Sequence, residues 1–310
     1  MKLDKIDIVI PFVDANDPVW QSEFNKHIKE YNPHYEDGNV QTRFDGNDIL
    51  KYVFRSIDTY TPWVNKVHLL LSGPSQIPKW LNTNNDKLHI VYHTDFIPKE
   101  YLPCFNSCTF ECWLWNIPEL SEKFIYANDD FIFNNKCFPL DFFDKRGVPK
   151  NNIKQTIYKN PDVLNAAYLT GFMNSSKLAA KGTDYDYIGF KYLITASHDL
   201  KSCDKKRFKS IFERHREQLL SSITMFREER NVNVYFFLLY DIFRKKQLEC
   251  DRKYEYSKVV SESMGKIQKI LNEDYQTLSL NDVIKTTYEN KEELKILLEN
   301  KFPNKCYYEK

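Results

Sequence analysis

The residues with the clearest chemical potential are Asn128-Asp129-Asp130, which follow the apolar run Phe124-Ile125-Tyr126-Ala127. Adjacent carboxylates at the end of a hydrophobic strand suit a hard divalent cation, because magnesium and manganese take oxygen ligands and leave positions open for phosphate and water. Aspartates in such places also form turns and cap helices. Company strengthens the chemical reading: Asp14, Asp17, Asp45 and Asp48 also fall just past an expected strand or at a helix start, so several acids are expected to converge on one cleft. Cys104, Cys108 and Cys112 recur every fourth residue. With no CxxC pair and no neighbouring histidine, they read as packing residues rather than a metal set.

The elements that must position these acids follow from hydrophobic patterning. Ile6–Val13 is rich in β-branched residues and reads as a buried parallel strand whose polar end is Asp14-Ala15-Asn16-Asp17-Pro18. Ile49, Leu50, Val53, Phe54 and Ile57 recur at helical spacing behind the turn and cap cluster Asp45-Gly46-Asn47-Asp48. Val67–Leu71 and Leu88–Tyr92 are two further strands, and Phe105–Trp115 reads as a loop entering a helix. This alternation predicts an α/β fold, with ligands at the carboxyl ends of the strands.

Later segments divide the chain. An α/β core is expected over 1–145, a basic linker or insertion rich in Gly and Pro over 146–165, and the second half of the core over 166–250. A helical extension is expected over 251–310. Within these, Lys201–Leu220 is expected as a charged amphipathic helix and Val232–Arg244 as a buried one.

Composition excludes several classes. The 310 residues carry 44 Lys+Arg against 43 Asp+Glu, a net charge of +1, so no dense basic surface for nucleic acid is expected. The apolar stretches fall far short of the roughly 20 residues that span a bilayer, and Met1-Lys2-Leu3-Asp4 starts no signal-peptide pattern. A cytoplasmic protein is expected, with its seven cysteines kept as thiols.

Several strings resemble the Stealth family: Ile6-Asp7-Ile8-Val9 through Pro18; Arg43-Phe44-Asp45-Gly46-Asn47-Asp48; Arg55-Ser56-Ile57; Pro62-Trp63-Val64; Gln76 through Asn82; and Leu120 through Asp130. Ser197-His198-Asp199-Leu200 is similar to the family's histidine block. Phe226-Arg227-Glu228-Glu229-Arg230-Asn231 is similar to its arginine block, with Asn231 where the family has an aspartate thought to orient the arginine. The family contains bacterial capsular and cell-wall polysaccharide phosphotransferases and the animal N-acetylglucosamine-1-phosphotransferase.

The resemblance implies a GT-A-like or Rossmann-like central sheet with helices, completed by a mostly helical C-terminal part. It implies transfer of a hexose or N-acetylhexosamine 1-phosphate from a UDP-sugar to a glycan or lipid-linked oligosaccharide hydroxyl, with UMP released. By position it assigns catalysis to Glu111, Asp130, His198 and Arg227, and substrate binding to Asp14, Arg43, Asp45, Asn47, Asp48, Arg55 and Asn128. Asp129 and Asp130 would hold Mg2+ or Mn2+, Arg227 the phosphates, and His198 or Glu111 would be the base. Peripheral association with a membrane-bound acceptor at the inner face of the bacterial membrane would follow. Two other readings stand beside it: a GT-A-like glycosyltransferase that releases UDP, and a non-catalytic glycan- or nucleotide-binding relative.

Overall fold

A computed structural model describes residues 5–31, 49–157, 167–186, 192–250, 252–283 and 285–310. Arg43, Asp45, Asn47 and Asp48 lie outside these residues.

The central sheet uses strands β1 (Ile6–Pro11), β2 (Val67–Leu71), β3 (Leu88–Tyr92) and β4 (Lys123–Tyr126). All four run parallel, in the order β3-β2-β1-β4. Their side chains alternate between two cores, as a period of two dictates. Ile6, Ile8, Ile10, Val67, Leu69, Leu71 and Ile125 face one core, while Val9, Leu70, Phe124 and Tyr126 face the other. Buried on both faces, β1, β2 and β4 carry the near-continuous apolar runs seen in the sequence, while β3 at the sheet edge is partly exposed. Asp7 and His68 are fully buried polar residues of this sheet. For Asp7 the partners are at hand. It accepts from Asn65 Nδ2 (2.7 Å) and the Ser121 amide (2.7 Å) and pairs with buried His68 Nε2 (3.0 Å), so its burial is fully compensated.

After β4 come β5 (Phe131–Phe133), the short β6 (Lys150–Asn151), β7 (Ile153–Ile157), β8 (Tyr192–Ala196) and β9 (Lys201–Asp204). β6 and β7 both lie within the stretch expected as a linker or insertion, and β7 pairs with β8 antiparallel. β9 joins the central sheet antiparallel to β4, with Lys201 opposite Tyr126. The helix expected over Lys201–Leu220 therefore begins as a strand and turns helical only at Lys205–Arg214. The physical reason lies in Ser202 and Cys203, both buried in the sheet edge, and in Asp204, whose side chain caps the helix through the Arg207 amide (2.9 Å).

The buried helix is Tyr235–Phe243, shorter than Val232–Arg244, and Phe236, Phe237, Leu238 and Leu239 are each fully enclosed. Each such side chain contributes about 1.5–3 kcal/mol of burial free energy.

The last strands are β10 (Leu248–Glu249), β11 (Tyr254–Lys258) and β12 (Thr277–Asn281). β12 lies between β11, its parallel neighbour, and β5, its antiparallel one. The C-terminal part thus combines two strands with the helices Met264–Leu271 and Tyr288–Lys301, rather than being simply helical. The alternation Thr277-Leu278-Ser279-Leu280 is the strand signal there, with Leu278 and Leu280 in the core.

Candidate active site

The site is built where β4 ends. Because β1 and β4 are parallel neighbours, Asp14 and Asn128-Asp129-Asp130 leave the sheet at the same edge. Asp14 is exposed there and its Oδ1 accepts only from the Asn16 amide (2.9 Å). Asp17 does not join the acids: its carboxylate caps the helix Pro18–Tyr31 through the Val19 and Trp20 amides and accepts from Ser75 and Gln76.

Asp130 is buried. Its Oδ2 accepts from Asn281 Nδ2 (3.1 Å), while its Oδ1 has no hydrogen-bond partner. Asp129, half-buried, has its pKa pushed up to about 7 by burial and by the charges of Asp130 and Asp282. Asp282 follows β12, and burial likewise raises its pKa; its Oδ1 is a second buried oxygen without a partner. Backbone pairing sets this meeting, since the Leu280 amide donates to the Asp130 carbonyl (3.0 Å). Carboxylates gathered this closely, with oxygens left unbonded among the described residues, are a donor set that a cation would relieve. Among the described residues no three His, Cys, Asp or Glu are grouped to hold a metal by themselves.

His198 stands beside this set. Its Nδ1 bonds Ser279 Oγ (2.9 Å), and its ring packs edge-on against Phe131 and Tyr256 at 5.1 and 5.6 Å. Nε2 has no protein partner among the described residues. Burial lowers the pKa, against the opposing pull of Asp130, so the imidazole is neutral near pH 7.

Glu111 closes the short helix Ser107–Glu111 and is buried. Oε1 accepts from the Tyr126 hydroxyl (3.0 Å) and Oε2 from the Val234 amide (2.8 Å). Burial raises its pKa, opposed by the Val234 hydrogen bond and then by the charge of Lys201.

Arg227 reaches the same helix, donating from Nη2 to Ser107 Oγ (2.6 Å). Asn106 makes this approach possible. Its Oδ1 caps the helix at the Cys108 amide (3.1 Å), and its Nδ2 donates to Thr224, Phe226 and Asn231 on the arginine's loop. Asn231 locks that loop from within. Its Oδ1 accepts from the Glu228 amide (2.7 Å) and its Nδ2 donates to the Ser222 carbonyl (2.6 Å). A carboxylate could make the first bond but not the second, which accounts for asparagine here; the residue shapes the backbone under Arg227.

Arg55 corrects an expectation. It is buried and commits Nε to Glu309 (2.7 Å) and Nη1 to Glu299 (3.1 Å) and the Phe302 carbonyl (2.6 Å), so it clasps the C-terminal segment instead of meeting a substrate. Asn128 is half-buried beside the acids.

Three participants went unnoticed in the sequence. Asn281 and Asp282 carried a faint signal as an Asn-Asp pair after an alternating run. Lys201, buried over the Tyr126, Phe131 and Tyr235 rings, carried none.

Comparison with known proteins adds an independent line. The model of Stealth protein CR2, conserved region 2, matches residues 43–151, a stretch containing Glu111, Asp129 and Asp130. The capsular polysaccharide phosphotransferase WcwK of Streptococcus pneumoniae is 32% identical over 211 residues, 67% of this chain and 56% of that protein. The chain therefore matches little more than half of that relative's length. The receptor polysaccharide phosphotransferase WefC of Streptococcus gordonii is 28% identical over 263 residues, covering 77% of this chain and 78% of its own. Among solved structures, the galactosyltransferase LgtC with donor and acceptor sugar analogs aligns over 95% of both chains at 11% identity and a TM-score of 0.44, too distant to carry an argument. The shared region 2, which contains Glu111, Asp129 and Asp130, and the sequence likeness to these phosphotransferases make the chain a member of the Stealth family.

Proposed function

We propose that the protein transfers a sugar 1-phosphate from a UDP-sugar to a hydroxyl of a surface-polysaccharide acceptor and releases UMP. One observation carries the reading: Asp130, with an unbonded buried oxygen, and His198, with an unbonded Nε2, are held side by side by neighbouring residues of β12. The names of the relatives, both polysaccharide phosphotransferases, point the same way.

In this reaction the acceptor oxygen forms a bond to the β-phosphorus while the bond from that phosphorus to the UMP oxygen breaks. His198 Nε2 takes the proton of the acceptor hydroxyl; its lowered pKa keeps it neutral and ready to do so. It fits the base better than Glu111, whose two oxygens both accept bonds from the fold. Arg227 offers a planar fork to the phosphate oxygens. A magnesium or manganese ion, held by Asp130 with Asp129 and Asp282 beside it, would neutralise the diphosphate. Glu111 positions the backbone that carries the arginine.

Incubating the protein with a panel of UDP-sugars and an oligosaccharide acceptor, and identifying the nucleotide formed, tests the proposal. UMP supports it. UDP would indicate glycosyl transfer to the sugar carbon, and no nucleotide product a binding protein.

A further inference from the structure

Lys201 is 3% exposed, yet the chain gives its charge little to bind. Among the described residues the ammonium makes one hydrogen bond, to the Asp199 carbonyl (3.2 Å), and lies over the rings of Tyr126 (5.6 Å), Phe131 (5.2 Å) and Tyr235 (5.1 Å). The Asp199 carboxylate is taken up by Arg252 (2.6 Å), Asn152 (2.6 Å) and Thr277 (2.8 Å). A buried cation without a carboxylate in contact is costly, and a leucine or methionine would fill the same space without that cost.

Two of the three rings belong to the surroundings of Glu111. Tyr126, directly opposite Lys201 in the β4–β9 ladder, donates its hydroxyl to Glu111 Oε1. Tyr235 follows Val234, whose amide donates to Oε2. Lys201 and Glu111 thus flank one tyrosine, and burial acts against both charges, pushing the lysine down and the glutamate up.

We propose that Lys201 is a positioning residue, the resident countercharge that keeps Glu111 ionised while substrate is bound. Glu111 faces two cations, Lys201 and Arg227; the other titratable groups around it, Tyr126, Tyr235 and Cys112, are all held neutral by burial. The inference rests on the reading of Arg227 as the phosphate ligand. Once Arg227 shares its charge with a diphosphate, only the enclosed lysine still balances Glu111. The ionised carboxylate then continues to accept from the Val234 amide and to hold the segment from Arg227 to Val234.

The test reads Glu111 directly and needs no turnover. Infrared titration of the full chain follows the protonated-carboxyl band that disappears in Glu111→Gln, with and without UDP. In Lys201→Met its midpoint should rise by about one pH unit or more, and by more with UDP than without, while Lys201→Arg should follow the wild type. Lys201→Gln supplies the neutral variant if the methionine protein does not fold. An unchanged midpoint in the neutral variant, or an arginine variant that behaves like it, would overturn the proposal. Absence of UMP release by the wild type would sink the proposed function and leave this titration fully readable.

Discussion

Asn281 donates a 3.1 Å hydrogen bond to Asp130, joining the end of β12 to the acid beyond β4 across 151 residues of sequence. The bond fixes one carboxylate oxygen and leaves the other free.

Asp130→Asn should cost about a hundredfold or more in turnover, the size expected for losing one electrostatic stabiliser at a reacting centre. UMP release under saturating donor measures it. A near-normal rate would remove Asp130 from the site.

Activity should require magnesium or manganese and disappear in excess EDTA, because carboxylates alone would repel the donor's diphosphate. Calorimetry of the free protein with magnesium gives a separate reading: binding should weaken in Asp130→Asn. Full turnover in chelator would assign the neutralisation to cationic side chains instead.

His198→Ala should bind UDP-sugar nearly as the wild type does and lose about 10²–10⁴-fold in transfer. The sign of the pH effect is fixed by the base's role. The neutral imidazole is the active form and its pKa is lowered, so the wild-type rate should hold as pH falls towards ~6.5 and drop only below it. A profile unmoved by the substitution would send the proton elsewhere.

Arg227→Lys should be severely impaired although it keeps its charge, since an ammonium cannot reproduce a two-pronged grip on phosphate. The loss should appear in donor affinity, measured by calorimetry with the UDP-sugar. Equal affinity in the lysine variant would show that charge alone suffices.

Arg55→Met should destabilise the fold by about 3–5 kcal/mol, because Glu309, with a side chain only 4% exposed, would be left buried without its cation. Urea denaturation measures this, and the donor KM of the folded protein should not change. A raised KM at full stability would return Arg55 to the substrate.

Much of the central sheet was legible because β1, β2 and β4 are buried on both faces, and near-continuous apolar runs announce such strands. Asp130, Glu111, His198 and Arg227 stood out through motifs. Lys201 did not, because a lysine among Ser202, Cys203 and two further lysines looks like the solvated start of a helix. Only pairing with Tyr126 shows it to be an edge-strand residue turned inward. Asn281 and Asp282 were obscured for a related reason: their importance lies in a long-range antiparallel register, which no local pattern encodes. Arg55 misled in the opposite direction, since its partners Glu299 and Glu309 sit some 250 positions away.

β12 occupies the middle of its three-stranded sheet, between β11 and β5, although it follows every other described strand in sequence. Non-local pairing of this kind raises contact order and slows folding, since the loop entropy must be overcome before the contacts form. Asp130 and His198 therefore wait for Asn281 and Ser279, which leave the ribosome long after them. A nascent chain stopped before Thr277 holds every strand of the central sheet, yet presents its acid and its imidazole with neither brace. Both braces of the proposed site arrive with β12.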